Sequence, residues 1–197
     1  SNFINEFEFQ DTEDQANVTS ELLFDLNSGL PMDRLICGDV GFGKTEVALR
    51  GAFNVAMSGA QVAFIVPTTL LCSQHYENFT KRFKNFPLKV DQISRLNSTS
   101  ENNKIIESIN SGESDVVVGT HALLNSKIKF KKLGMLIIDE EQHFGVSQKE
   151  KIKSLRSNVH VLALTATPIP RTLQMSLVGL RDLSIISTAP LNRQNIN

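Results

Sequence analysis

The 197 residues include 20 Lys and Arg against 21 Asp and Glu, giving a formal net charge of −1, and 41% of them are hydrophobic. This composition suits one globular domain and excludes a chain that binds nucleic acid through its overall charge, so any such contact must be a local patch. The two cysteines lack zinc-type spacing, which favours a reducing, cytoplasmic setting, and no run of about 18 apolar residues predicts a membrane span.

Amphipathic stretches and short apolar runs alternate along the chain. The predicted helices span residues 12–28, 44–58, 69–84, 100–111 and 147–156. The predicted strands span residues 34–37, 61–66, 88–93, 115–119, 135–139 and 159–165. Because apolar strands that alternate with helices are typical of a sheet covered on both faces, the pattern predicts an α/β fold with a mostly parallel sheet. The residues after about Arg181 are predicted to be thinly structured.

The stretch GDVGFGKT follows the first of the apolar strands and opens a helix, and it fits the pattern G-x-x-x-x-G-K-[ST]. Its glycines let backbone N–H groups surround phosphate oxygens, and the helix N-terminus adds partial positive charge. Lys44 is expected to reach the β- and γ-phosphates of a nucleotide, and Thr45 to bind Mg²⁺. The predicted nucleotide-binding residues are Gly38, Asp39, Val40, Gly41, Phe42, Gly43, Lys44 and Thr45.

A second strand, ending 95 residues beyond Lys44, runs directly into Asp139, Glu140 and Glu141. In phosphate-loop NTPases an acidic residue at such a strand end holds Mg²⁺, so Asp139 is the predicted metal ligand. Glu140 is then placed to activate the attacking water as a general base, which makes it catalytic together with Lys44 and Asp139. The alternative is a charged surface cluster without a catalytic role.

Taken together, GDVGFGKT, DEEQ and TATPIPRT resemble the motifs of the first motor lobe of superfamily 2 helicases and translocases. Within that group the chain is most similar to the bacterial transcription-repair coupling factors, and next to the RecG-type branch-migration helicases. The stretches EVALR and VPTTLL favour the coupling factors. The resemblance implies a RecA-like lobe over residues 31–185, preceded by an adenine-recognition segment (1–30) and followed by a linker (186–197) toward a second lobe.

The resemblance also implies roles around the nucleotide. Gln15 matches the glutamine that reads the adenine edge in such motors, and Phe9 is expected against the base, with Phe7 as a competing candidate. Thr165 and Thr167 match the motif that links nucleotide state to lobe movement. Independently of the resemblance, Gln142 and His143, which follow the acidic residues, are candidates for coupling the nucleotide to a neighbouring element.

Four further residues match segments where these motors touch the nucleic-acid backbone, namely Thr68, Arg95, Thr120 and His121. Contacts of this kind position a protein on DNA without reading its sequence. The competing interpretation of the two threonines is that they cap and turn the chain at strand ends. Two lysine-rich stretches, SKIKFKKLG and QKEKIK, are read either as a DNA-facing patch or as a solvated rim.

Three functions are open at this point. The resemblance implies an ATP-driven translocase of double-stranded DNA, whose full protein displaces stalled RNA polymerase and recruits excision-repair proteins. A RecG-like, fork-remodelling helicase is the first alternative, and a nucleotide-binding switch that controls a protein partner without translocation is the second. Since the chain begins Ser-Asn rather than Met, we expect a piece of a longer protein. We also expect it to hydrolyse ATP slowly by itself, because the second lobe of such motors supplies an arginine finger.

Overall fold

A parallel sheet forms the centre of the computed structural model. The structure describes residues 2–7, 9–39, 43–155, 158–177, 181–187 and 191–192. For residues 9, 10, 177, 191 and 192 it describes the backbone only. Its strands are β1 (Phe9–Gln10), β2 (Asp33–Gly38), β3 (Gln61–Ile65), β4 (Val90–Ile93), β5 (Val116–Gly119), β6 (Leu133–Asp139), β7 (His160–Thr165), β8 (Asp182–Ile186) and β9 (Leu191–Asn192). Seven of them make one sheet in the order β4-β5-β3-β6-β7-β2-β8. Every neighbouring pair in that sheet is parallel, while β1 and β9 form a separate antiparallel pair.

Helices connect the strands. They are α1 (Asn2–Asn5), α2 (Glu13–Asn27), α3 (Lys44–Met57), α4 (Thr69–Phe83), α5 (Thr99–Ser111), α6 (Val146–Leu155) and α7 (Arg171–Leu177). The ends of α2 to α6 lie within two residues of their predicted positions because local capping signals set them, whereas α1 and α7 are not among the predicted helices. Ser98, for example, forms a capping box with Glu101, and Gly112 ends α5 in the left-handed conformation (φ 85°).

The core lies on both faces of the sheet. On β6, consecutive side chains point to opposite faces, so Met135 and Ile137 join one buried cluster while Leu136 and Ile138 join the other. The first cluster contains the apolar residues of α2, α3 and α4, and the second contains those of α5 and α6. These observations confirm the predicted α/β fold with helices on both faces.

The prediction of a thinly structured tail is wrong for β8, which is an edge strand of the main sheet beside β2. Only Ser184 and Ile186 of this strand are buried, so its sequence lacks the continuous apolar run that marks a central strand. Its stability comes from side chains elsewhere in the chain: Ser184 Oγ donates to Glu21 Oε2 (2.6 Å) and accepts from Arg34 Nη1 (2.8 Å). Residues 188–190 and 193–197 of the predicted linker lie outside the described residues.

One histidine of the fold gives a pH-dependent stability. His160, at the start of β7, accepts a hydrogen bond at Nδ1 from the backbone N–H of Met32 (3.0 Å). Burial lowers the pKa of His160, against the opposing charge of Asp25. The unfolded chain therefore takes up this proton first as pH falls through about 6.5, so protonation favours the unfolded state.

We expect the free energy of unfolding to rise with pH between about 5 and 7 because His160 loses its proton over this range. In His160→Asn the same free energy should depend less on pH. The asparagine oxygen retains an acceptor for Met32 but cannot titrate in this range. Urea unfolding of both proteins across the pH range measures the difference. Parallel pH profiles for the two proteins would show that His160 does not contribute.

Candidate functional site

The phosphate-loop motif lies where the sequence places it, between the end of β2 and the start of α3. Gly43 precedes α3 in the left-handed conformation (φ 88°), which favours glycine. A Cβ added at Gly38 would lie 2.9 Å from the carbonyl oxygen of Ile186, so this position has no room for a side chain. The predicted loop residues Val40, Gly41 and Phe42 lie outside the described residues.

Lys44 points back into its own loop, where its amino group donates to the carbonyl of Gly38. Burial lowers the pKa of Lys44, and the nearby carboxylates of Glu140, Asp139 and Asp39 oppose that shift, in decreasing order. The cation of the phosphate loop and the carboxylates at the end of β6 thus form one electrostatic unit.

Three consecutive carboxylates end β6 without facing one another. Asp139 accepts from His75 Nε2 (3.2 Å), and Glu141 pairs with Arg181 Nη1 (3.2 Å). Glu140 accepts from the backbone N–H of Ala166 (2.8 Å). Each carboxylate therefore has its own donor, which relieves the repulsion that such a cluster would otherwise suffer.

The backbone of Glu140 has an unusual conformation that orients its side chain. Within the described ranges Glu140 is the only non-glycine residue with positive φ (51°), a conformation that turns the chain sharply after β6. One carboxylate oxygen accepts the Ala166 N–H, and the other accepts from Thr165 Oγ1 (3.2 Å) and from the Gln142 side chain. Strain of this kind is often found at functional sites.

The three predicted coupling residues are brought together at the ends of β6 and β7. Gln142 Nε2 donates to Thr167 Oγ1 (3.3 Å) as well as to Glu140. The Thr167 N–H in turn donates to Thr165 Oγ1 (3.1 Å). A movement at Thr167, which is exposed, is therefore connected to the predicted general base through two hydrogen bonds.

A cavity of about 700 Å³ opens beside these groups. Lys44, Thr45, Asp139 and Glu140 line it together with side chains of α4. Phe7 also lines the cavity, whereas the side chain of Phe9 lies outside the described residues, so the cavity favours the competing candidate.

Gln15, the predicted adenine reader, is fully buried rather than solvated at the start of α2. Its Nε2 donates to the carbonyl of Gly43 (3.5 Å), which attaches α2 to the phosphate loop. Its Oε1 is buried and has no hydrogen-bond partner among the described residues. Gln15 is not one of the residues that line the cavity, so its role as the adenine reader stays a prediction.

The predicted DNA-contacting residues follow three neighbouring strands at the carboxyl edge of the sheet. Thr68 comes after β3, Arg95 after β4, and Thr120 and His121 after β5. Thr68, Arg95 and His121 are exposed, while Thr120 is only 8% exposed. Thr68 and Thr120 also accept N-cap hydrogen bonds, from Leu71 N (3.2 Å) and Ala122 N (3.5 Å), so their capping role is confirmed.

The carboxyl edge therefore has two halves. The ends of β4, β5 and β3 carry the DNA-contact candidates, and the ends of β6, β7 and β2 carry the phosphate loop and the carboxylates. The lysine-rich stretch at 126–134 lies at the opposite edge, since it leads into the start of β6.

The described residues contain neither a metal-ligand cluster nor a membrane-spanning helix. No group of three or more His, Cys, Asp or Glu is arranged to hold a metal ion. None of the helices described is both long enough and apolar enough to cross a bilayer.

Comparisons with known proteins agree with this geometry. The sequence model of the DEAD/DEAH box helicases matches residues 12–176. The chain is 56% identical over 198 residues to the transcription-repair-coupling factor of Rickettsia bellii (strain RML369-C), covering 98% of this chain and 18% of that protein. It is 54% identical to the Escherichia coli (strain K12) protein of the same name, covering 97% and 17% respectively. The chain thus spans less than a fifth of the length of these curated relatives.

Solved structures give the same picture. The structure of RecG bound to a three-way DNA junction matches with a TM-score of 0.81 and 34% identity, covering 100% of this chain and 26% of that one. The helicase domain of Hef from Pyrococcus furiosus matches in fold alone, with a TM-score of 0.62 and 20% identity, covering 87% of this chain and 37% of that one. The predicted resemblance to the coupling factors and to RecG is confirmed.

Proposed function

The chain belongs to the DEAD/DEAH box helicase family, and from this premise we propose that it is the ATP-binding motor lobe of a double-stranded DNA translocase. The observation that carries the proposal is the cavity in which Lys44 and Thr45 face Asp139 and Glu140 at the carboxyl edge of the sheet. Ligands of open parallel α/β sheets bind at this edge. The lobe is assigned to residues 31–185, with residues 1–30 as the adenine-recognition segment.

The residues present suit ATP and Mg²⁺. Gly43 precedes α3 in a left-handed conformation that favours glycine, and the N-terminus of this helix favours a phosphate group. Gln15 lies beside the phosphate loop, where its side chain donates to the Gly43 carbonyl. Mg²⁺ is usually bound by one or two protein groups plus phosphates and water, which fits the hydroxyl and carboxylate donors at this edge. Thr45 and Asp139 would hold it, and when bound it offsets the negative charge of the phosphates.

The chain's own groups then have distinct tasks. Lys44 offers a point charge to the phosphates, and Glu140 takes the proton from the attacking water. Glu140 accepts hydrogen bonds from Ala166, Thr165 and Gln142. Because Gln142 also donates to Thr167, a change in that contact would alter the orientation of the Glu140 carboxylate. This supports the coupling role of Thr165, Thr167 and Gln142.

For the longer protein we propose transcription-coupled DNA repair, with RNA polymerase and excision-repair proteins as partners. The support is the name of the relatives at 54–56% identity. A RecG-like helicase that remodels forks is the second candidate, because the structure of RecG on a three-way junction shares the fold at 34% identity. Assays of the full-length protein for displacement of a stalled RNA polymerase and for fork remodelling separate the two.

Duplex DNA binding tests the lobe itself. We expect weak binding without sequence preference, with log K falling against log salt at a slope of roughly −2 to −4, as for about two to four neutralised phosphates. Replacement of the exposed Arg95 by alanine is expected to reduce that slope by about one and to weaken binding alike on every sequence. Fluorescence anisotropy across salt concentrations on two unrelated duplexes measures both quantities.

Lys129→Ala is the matched control, because it removes one exposed positive charge at the opposite edge of the sheet. We expect it to leave the slope unchanged. An equal loss in Lys129→Ala would instead support the lysine-rich patch as the DNA surface. Tight, sequence-selective binding would favour a different function for the lobe, and no DNA binding in either lobe or full-length protein would favour the nucleotide switch.

A further inference from the structure

Helix α4 connects the two halves of the carboxyl edge. It begins at its N-cap Thr68, among the DNA candidates, and its side chains Gln74, His75 and Asn78 then line the nucleotide cavity. Thr68, His75 and Arg82 follow one another at intervals of seven residues. Because seven residues make nearly two helical turns, His75 and Arg82 lie on the same side of α4.

His75 holds the predicted Mg²⁺ ligand directly. Its Nε2 lies 3.2 Å from Asp139 Oδ2, and both residues are only 9% exposed. Since an ionised carboxylate only accepts hydrogen bonds, Nε2 carries the proton in this contact. The imidazole ring packs against Phe64 of β3, with ring centroids 4.5 Å apart, and this packing limits its rotation.

Arg82 attaches the far end of α4 to the phosphate-loop helix. Its Nε and Nη2 donate to the two carboxylate oxygens of Glu46, at 2.7 and 2.8 Å. Glu46 lies two residues after Lys44 in the first turn of α3 and is 4% exposed. Buried bidentate pairs of this type have strict geometry, so α4 keeps a fixed position relative to the phosphate loop.

We propose that His75 is a positioning residue of the nucleotide site, which orients the Asp139 carboxylate and connects it through α4 to the DNA contact at Thr68. The proposal rests on the proposed function, because it takes Asp139 as the Mg²⁺ ligand. Groups that hydrogen-bond a metal-binding carboxylate typically change metal affinity or activity by about 10–100-fold when replaced. A purely structural histidine would change the stability of the fold without changing Mg²⁺ dependence.

The experiment measures the Mg²⁺ concentration that gives half-maximal binding of a fluorescent, non-hydrolysable ATP analogue to the chain. We expect His75→Leu to raise this concentration by about 10–100-fold and to leave binding in EDTA unchanged. His75→Gln places an amide donor at about the reach of Nε2, so it should recover most of the loss. His75→Asn carries the same amide on a shorter side chain, so it should not recover the loss. Comparison of the glutamine and asparagine variants keeps the test valid if the leucine variant fails to fold.

Phe79→Leu is the matched structural control. Phe79 is a fully buried residue of α4 that also packs on Phe64, with ring centroids 5.5 Å apart. The Phe79→Leu substitution should lower the melting temperature without changing the Mg²⁺ concentration that gives half-maximal binding. Equal Mg²⁺ dependence in wild type, His75→Asn and His75→Leu would overturn the proposal, and so would a shift in Phe79→Leu as large as that in His75→Leu. If the wild type itself does not bind the analogue, it is the proposed function that fails.

The connection to DNA has its own readout in the full-length protein. Duplex DNA should lower the half-maximal Mg²⁺ concentration of the wild type, and this effect should be lost in His75→Asn. The same DNA effect in both proteins would show that His75 does not connect the two sites.

Discussion

Glu140→Gln is expected to retain ATP binding and to reduce turnover by roughly 10²–10⁴ in a protein that carries this lobe together with the second one. Glutamine has the shape of glutamate, so one side-chain oxygen remains to accept the Ala166 N–H that lies 2.8 Å from Glu140. It cannot accept the proton of an attacking water. Steady-state ATPase assays with and without duplex DNA give the turnover, and calorimetry gives the affinity.

Asp139→Asn is the companion variant, because it changes the neighbouring carboxylate by the same chemical step. We expect it to weaken Mg²⁺-dependent ATP binding instead, since Asp139 faces His75 and the cavity rather than Ala166. Wild-type turnover in both variants would mean that the carboxylates at the end of β6 are only a charged cluster. Two identical defects would mean that the division of roles between them is wrong.

Lys44→Ala is expected to abolish the stabilisation of the chain by ATP while leaving the fold intact. Lys44 is half-buried and donates its hydrogen bond to Gly38 in its own loop rather than to a core residue, so the core does not depend on it. Charged contacts to two phosphates contribute about 1.5–3 kcal/mol each, which corresponds to roughly 10²–10⁴ in Kd.

Thermal melts measure this effect. At an ATP concentration of about 100 times Kd, a bound ligand stabilises a protein by about 2.7 kcal/mol, which is roughly 5–10 °C for a chain of this size. In Lys44→Ala the shift should fall to about 1 °C or less. Lys104→Ala, which removes an exposed lysine of α5, is the control for net charge and should melt like the wild type with ATP. An unchanged ATP shift in Lys44→Ala would exclude the phosphate-loop assignment.

Much of the fold was predictable because it depends on patterns of residues that are close together in the chain. The apolar run that becomes β6 and the glycine-rich turn before α3 are recognisable without any partner, and the caps at Thr68 and Ser98 set helix starts within a few residues. By contrast, β8 was missed because only two of its five residues are buried. What holds it in place is a set of contacts with Arg34 and Glu21, which lie 150 and 163 residues away in the chain.

The residues of the candidate site likewise fall into those that the sequence identifies and those that only the structure reveals. The phosphate loop, Asp139 and Glu140 were identifiable from spacing alone, because phosphate binding and Mg²⁺ chemistry require particular residue types at strand ends. The sequence did not predict that Thr165, Thr167 and Gln142 would meet, because their hydrogen bonds depend on the adjacency of β6 and β7. His75 received no role from the sequence, since a histidine inside an amphipathic helix carries no signal of its partner.

The sequence by itself determined the alternation of strands and helices, the phosphate loop and the acidic strand end, because each depends on residues that are neighbours in the chain. Only the tertiary structure decided which carboxylate meets which donor. His75 and Asp139 are separated by 64 residues, and Arg82 and Glu46 by 36. Such pairs depend on the position of β3 between β5 and β6, which places α4 beside the phosphate-loop helix, and this arrangement is set by the burial of apolar surface over the whole sheet.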